Sequence, residues 1–159
     1  MAFETPYLSD PARVGAGERF TSKSDFVLSA TTFEDGLIAG RFAKLDSGSI
    51  DNFDGSATPV IAGVPLRLAS MPVEGDGIYN SLNLDPALYG QVQYLRKGGI
   101  TVTVVDGDTP TKFGQVYVSN AGDANDGMAT TTNDASTVEA TGFEFIMEIK
   151  PGVWLVHGS

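Results

Sequence analysis

The chain has 159 residues, enough for one domain with a real core, and its 42% hydrophobic content, 19% charged residues and 19 glycines favour strands and turns over long salt-bridged helices. With 10 basic residues against 20 acidic ones the net charge is -10, which opposes approach to a phosphate backbone and excludes broad nucleic-acid binding. Cysteine is absent, so a disulfide framework, a thiolate metal site and a cysteine nucleophile are excluded as well.

Residues 1–25, "MAFETPYLSDPARVGAGERFTSKSD", show no sustained period of 3.6 or 2 and read as an extended N-terminal arm. Its aromatics Phe3, Tyr7 and Phe20 exceed what a disordered tail carries, leaving two readings open: an arm packed on its own domain, or one reaching a neighbouring subunit. The start lacks a basic stretch followed by an apolar one, and no window approaches the ~20 apolar residues a bilayer span needs. Folding in the cytoplasm is therefore expected, without a membrane partner.

Residues 26–159 read as a single β domain. "FVLSATTF" is the first strand, and "LIAGRFAKL" the second, with Leu37, Ala39, Ala43 and Leu45 on one face and Ile38 and Phe42 on the other. The stretch "DSGSIDNFDGSATP" reads as a loop, and "VIAGVPLRLASM" as a strand whose Pro65 indicates an edge or a bulge. "NLDPALYG" holds one helical turn at most. Gly98 and Gly99 are expected to reverse the chain between "QVQYLR" and "ITVTVV", with Ile100, Val102 and Val104 facing the core and Thr101 and Thr103 facing away. After turns at Asp106-Gly107 and Thr109-Pro110 comes "QVYVS". A C-terminal hairpin follows, "GFEFIMEI" and "VWLV" joined by Lys150-Pro151-Gly152, with Phe143, Phe145, Met147 and Ile149 on one face and Glu144 and Glu148 on the other. Short strands at intervals of roughly 8–12 residues, without amphipathic helices between them, predict an all-β fold: a small β-barrel or a jelly-roll-like sandwich with an extended N-terminal arm.

Little of this carries chemistry. A phosphate-binding glycine loop needs a helix after it, and "RKGGITVTVV" leads into a strand. Arg96 and Lys97 are then a solvated pair at a hairpin tip, free to meet a carboxylate on a partner. His157, the one histidine, follows an apolar strand, and no G-x-S-x-G stretch accompanies it. Two acidic loops carry oxygen donors of the kind calcium accepts, Asp46, Asp51 and Asp54 in one and Asp123, Asn125, Asp126 and Asp134 in the other. The second departs from EF-hand spacing, with Met128 where glycine belongs and Asp134 where glutamate belongs, so ordinary Asx turns are the leading reading and a weak structural Ca²⁺ site the alternative. Trp154 lies in an apolar strand, leaving no sugar-stacking tryptophan beside the loop carboxylates.

The succession "VIAGVPLR", "YGQVQYLRKGGITVTVVDG", "TKFGQVYVSNAGD", a threonine-rich stretch, "GFEFIMEI" and "GVWLVHGS" resembles the structural cement, or head decoration, proteins of tailed bacteriophages over roughly residues 35–159. The matching positions are Ala62-Gly63-Val64, Arg96 to Gly99 and Gly114 to Val118. The resemblance implies a non-enzymatic β unit on the outer surface of the virion head, made in the host cytoplasm, bridging subunits of the major capsid protein and itself a homo-oligomer, dimer or trimer. It implies no cofactor and no catalytic residue. Phe3, Tyr7, Arg13, Arg96 and Lys97 are the interface residues this role calls for. Two rivals stand beside it, a carbohydrate- or receptor-binding β-sandwich on a virion surface and a small hydrolase using loop carboxylates.

Overall fold

The computed structural model describes residues 15–17, 19–20, 25–67, 83–84 and 90–159. These form β1 (Arg19–Phe20), β2 (Phe26–Ala30), β3 (Leu37–Ile38), β4 (Ala43–Asp46), β5 (Ser49–Asn52), β6 (Val60–Pro65), β7 (Asn83–Leu84), β8 (Val92–Thr103), β9 (Gln115–Ser119), β10 (Ala129–Thr130), β11 (Thr137–Lys150) and β12 (Val153–Gly158). No helix interrupts them among the described residues. The principal sheet runs β10-β9-β11-β12-β8-β6-β4-β5, with β1 and β2 also on β8, and curls antiparallel into a half-barrel. The predicted all-β, barrel-like class is what forms.

The apolar alternation read from the sequence fills the concave side. Ile100 and Val102 from β8, Val104 just past its end, Val116 and Val118 from β9, Phe143 and Phe145 from β11 and Val156 from β12 are buried in one cluster with Phe42. Each large apolar side chain so removed from water contributes about 1.5–3 kcal/mol. The rings interlock edge to face, Phe42 on Phe143 at 5.2 Å and Phe145 on Trp154 at 5.7 Å. A second cluster, with Leu37, Ile50, Leu84 and Val92, lies under β3, β5 and β7.

The largest departure from expectation is at Gly98-Gly99, where no hairpin forms. β8 passes straight through both glycines for 12 residues, pairing β2 and β6 with its first half and β12 and β1 with its second. The glycines admit crossing chain rather than a turn. Gly98 has φ +108° and a Cβ there would overlap the Asp25 carboxylate, while one at Gly99 would come within 3.2 Å of Phe20 Cβ. Arg96 and Lys97 therefore sit mid-strand, not at a tip.

Other differences have local causes. "LIAGRFAKL" splits into β3 and β4 because Gly40, at φ +77°, turns the chain where its backbone meets Ala16 and Gly17. Of the loop expected at 46–59, the first half is instead a β4–β5 hairpin, closed by Ser47 and Gly48, both at positive φ, as a type I′ turn requires, and 53–59 remain outside strands. Pro65 ends β6, a strand with neighbours on both sides instead of an edge, and the register shift lies earlier, between Ala43 and Lys44 of the β4 partner. "NLDPALYG" begins with β7 on β3, and residues 85–89 lie outside the described ones. Thr101 is buried instead of outward, its Oγ1 donating to Gly15 O at 2.6 Å. The C-terminal hairpin forms as expected, but a bulge after Phe145 turns Met147 outward, where it is exposed.

Candidate interaction surface

The acidic loops are held by their own fold. Lys44, on β4, is buried, and its Nζ meets Asp54 Oδ1 at 2.7 Å, Ser56 Oγ at 3.1 Å and Asp46 Oδ2 at 4.0 Å. Burial alone lowers the Lys44 pKa, but the hydrogen bond and charge of Asp54, with Asp46 and Asp51, outweigh it and raise it. Asp54 is pulled down to about 2, chiefly by the hydrogen bond from Lys44 and then by those from Ser56. In the second loop Asp123 Oδ1 accepts from Asn125 N at 2.7 Å, Asp126 Oδ1 from Gly122 N at 3.0 Å and Asp134 Oδ1 from Ser136 N at 2.8 Å. The Asp123 and Asp134 bonds are the turn bonds expected of Asx residues, and the Asp126 bond closes the same loop back onto Gly122. Asn120 ties the two loops together, accepting from Gly55 N at 2.9 Å and donating to Ser56 O at 3.0 Å.

A pH dependence follows from the first loop. Asp54 is depressed, so its contribution is present above its unfolded pKa near 3.8 and is lost as pH falls through about 2. Because Asp54 is well exposed, Asp54→Asn is expected to cost about 1 kcal/mol at pH 7, a Tm drop of about 2–4 °C. Thermal melts of both proteins from pH 7 to pH 2 should converge at the acid end. A constant gap across that range would show that Asp54 acts through something other than its charge.

His157 lies on β12 with Glu144 and Gly99 as its register partners, a strand residue. The structure instead gathers accessible groups where the half-barrel opens. β12 leaves β8 at Gly98 and β6 joins it at Leu95, and between them a groove of about 420 Å³ opens, lined among others by Phe26, Ile61, Arg96, Lys97, Val138 and Phe143. Neighbouring residues of a regular strand point to opposite faces. Here β2 pairs Phe26 with Lys97 and Val27 with Leu95, skipping Arg96, and this bulge lets both cations line one groove. Phe26 is 50% exposed, and Val60, beside the lining residues Pro59 and Ile61, is 60% exposed.

A second apolar patch was not legible as a site. Phe113, in "TKFGQ", holds φ +64°, a strained conformation for a residue with a ring, and leaves 64% of itself exposed. Its N–H donates to Phe145 O at 2.6 Å and Lys112 Nζ lies 5.0 Å from its ring centre. Exposed Met147 follows two residues along β11 from that carbonyl. The sequence signal was slight, an aromatic residue just before a loop glycine. Of the interface residues expected from sequence, Arg96 and Lys97 come together on the groove, while Phe3, Tyr7 and Arg13 lie outside the described residues.

The model of the XM1 gp53 minor capsid protein family matches residues 5–157. The chain belongs to that family. A solved chain of the capsid of Myoviridae phage XM1 is similar at 34% identity and a TM-score of 0.80, covering 99% of this chain and 97% of its own length. No curated protein matches in sequence. Membership makes this a phage capsid-associated structural protein, a component of the virion. It also agrees with the resemblance to head decoration proteins read from the strand order.

Proposed function

We propose that the protein is a decoration protein of the cement type, binding the outer surface of the phage head and bridging subunits of the major capsid protein. The observation that carries this reading is the groove with Arg96 and Lys97 set side by side among apolar groups, on a chain that is otherwise strongly acidic. A cationic pair flanked by exposed Phe26 is a docking surface for a protein face bearing carboxylates. Bridging also calls for a second contact, and the strained, exposed Phe113 with Met147 supplies a candidate. Residues 1–25 act as an arm and 26–159 as the body, the arm's residues 15–17 and 19–20 lying on β8, with Phe3, Tyr7 and Arg13 adding arm contacts and a dimer or trimer presenting several grooves at once. Weak contacts repeated over a shell gain from effective concentration.

The test is to titrate purified protein onto undecorated heads. Saturable binding and a higher melting temperature of the heads are expected. Absence of both would refute the reading.

A further inference from the structure

The walls of the groove are strand edges. β11 runs from Thr137 to Lys150, but β12 covers it only from Phe143 onward and Ser159 N reaches Gly142 O, so residues 137–141 have β9 beside Thr137, Val138 and Glu139 and, among the described residues, no strand on the other edge. The direction of the backbone groups follows from β9. Ser119 bonds away from β11, donating to Met128 O and accepting from Gly127 N, which turns the groups of Val118 toward its register partner Val138. Past Glu139 the Gln115 side chain of β9 bridges the irregular stretch, its Nε2 donating to Ala140 O at 3.0 Å and Phe143 O at 3.3 Å. Alternation from Val138 then aims the backbone groups of Glu139 from the far edge, beside the groove, before the register with β9 slips between Glu139 and Glu144 and Gly142 O turns to accept from Ser159 N at 3.0 Å.

The facing wall is β6 from Ile61 to Gly63, which pairs with β4 and reaches β8 only at Val64. The edge from Val138 to Thr141 is about 13 Å long when extended, room for a short strand. Unpaired strand edges invite an added strand, and here the added strand would lie beside two cations.

We propose that the groove receives an extended segment of the coat protein as an extra strand on β11, with its carboxylates on Arg96 and Lys97 and its alternate, apolar side chains on Phe26, Ile61 and Phe143. This deepens the capsid-binding reading above and rests on it. Charge selects the occupant: the groove has two cationic side chains against one anionic, Glu139, whereas the chain as a whole carries -10. An acidic segment with alternating apolar residues is matched to it, and a second copy of this acidic chain is opposed by self-repulsion.

Hydrogen exchange by mass spectrometry on the full chain, free and bound to undecorated heads, tests this without any substitution. Exchange over the peptide containing Glu139 is expected to slow at least about tenfold on the heads. Glu139→Pro, which removes the edge N–H, is expected to weaken head binding about tenfold or more, and Glu139→Ala, which keeps it, not to weaken binding. If Glu139→Pro does not fold, the exchange measurement alone decides. Normal head binding with unchanged exchange at this edge overturns the added strand while leaving the capsid-binding reading intact. Failure of the wild-type chain to bind heads defeats that reading instead. Protection that rises with protein concentration in the absence of heads assigns the groove to a second copy and overturns the coat segment as occupant.

Discussion

Reversing the groove's charge with Arg96→Glu and Lys97→Glu together is expected to weaken binding to undecorated heads by about 100-fold at physiological salt. Both residues are exposed, so the fold should tolerate the change, with Tm within about 2 °C of the wild-type value. The double reversal does more than remove an attraction. It places two carboxylates against a face proposed to carry carboxylates, and like charges across an interface oppose docking from encounter onward. Neutral Arg96→Gln with Lys97→Gln should fall between, and the gap between wild type and either variant should shrink as salt rises, since exposed charges are screened over about 10 Å at 0.1 M. Equal affinity of wild type and charge-reversed protein would remove the groove from the interface.

Gly63→Ala is expected to be strongly destabilising, a loss of about 3 kcal/mol or more and a Tm drop of at least about 6 °C. Gly63 stands at φ +148°, which side chains rarely adopt, and its Cβ would overlap the Leu95 carbonyl oxygen, backbone that cannot swing aside. The site lies just before β6 joins β8 through Val64 and Leu95, so the damage separates two strands of the sheet as well as straining one residue. Gly48 makes the contrast, since a Cβ there meets nothing within 4 Å and the strain of its φ of +90° would act alone. Urea or thermal melts of both variants separate the two terms. A Gly63→Ala protein as stable as Gly48→Ala would contradict the close approach of β6 to β8.

The strands whose side chains alternate cleanly were readable. Ile100, Val102 and Val104, and Phe143 with Phe145, are buried as their spacing predicts, and the turn at Pro151-Gly152 joins the last two strands. Glycine misled the reading because the same residue serves two physical needs. At Ser47-Gly48 it closes a hairpin in a stretch that read as loop, and at Gly98-Gly99 it lets Asp25 and Phe20 approach a strand that read as a turn. Local sequence does not distinguish the two, since the difference lies in chain that is distant in sequence or on the far side of the sheet. The basic pair at 96–97 was visible, yet its placement in a groove depends on the β2 register slip and on where β12 stops. Thr101 was assigned to the solvent side by alternation alone, and the segment at residues 15–17 that covers it could not be anticipated from its own pattern.

The most direct test is an electron cryo-microscopy comparison of heads with and without this chain, at a resolution that follows the strands. Added density on the outer surface is predicted, touching more than one coat subunit, with the groove bounded by β6, β8 and β11 turned toward the shell and Arg96 and Lys97 at the contact. A decorated head in which that groove faces solvent, or one indistinguishable from the bare head at saturating protein, would contradict the account.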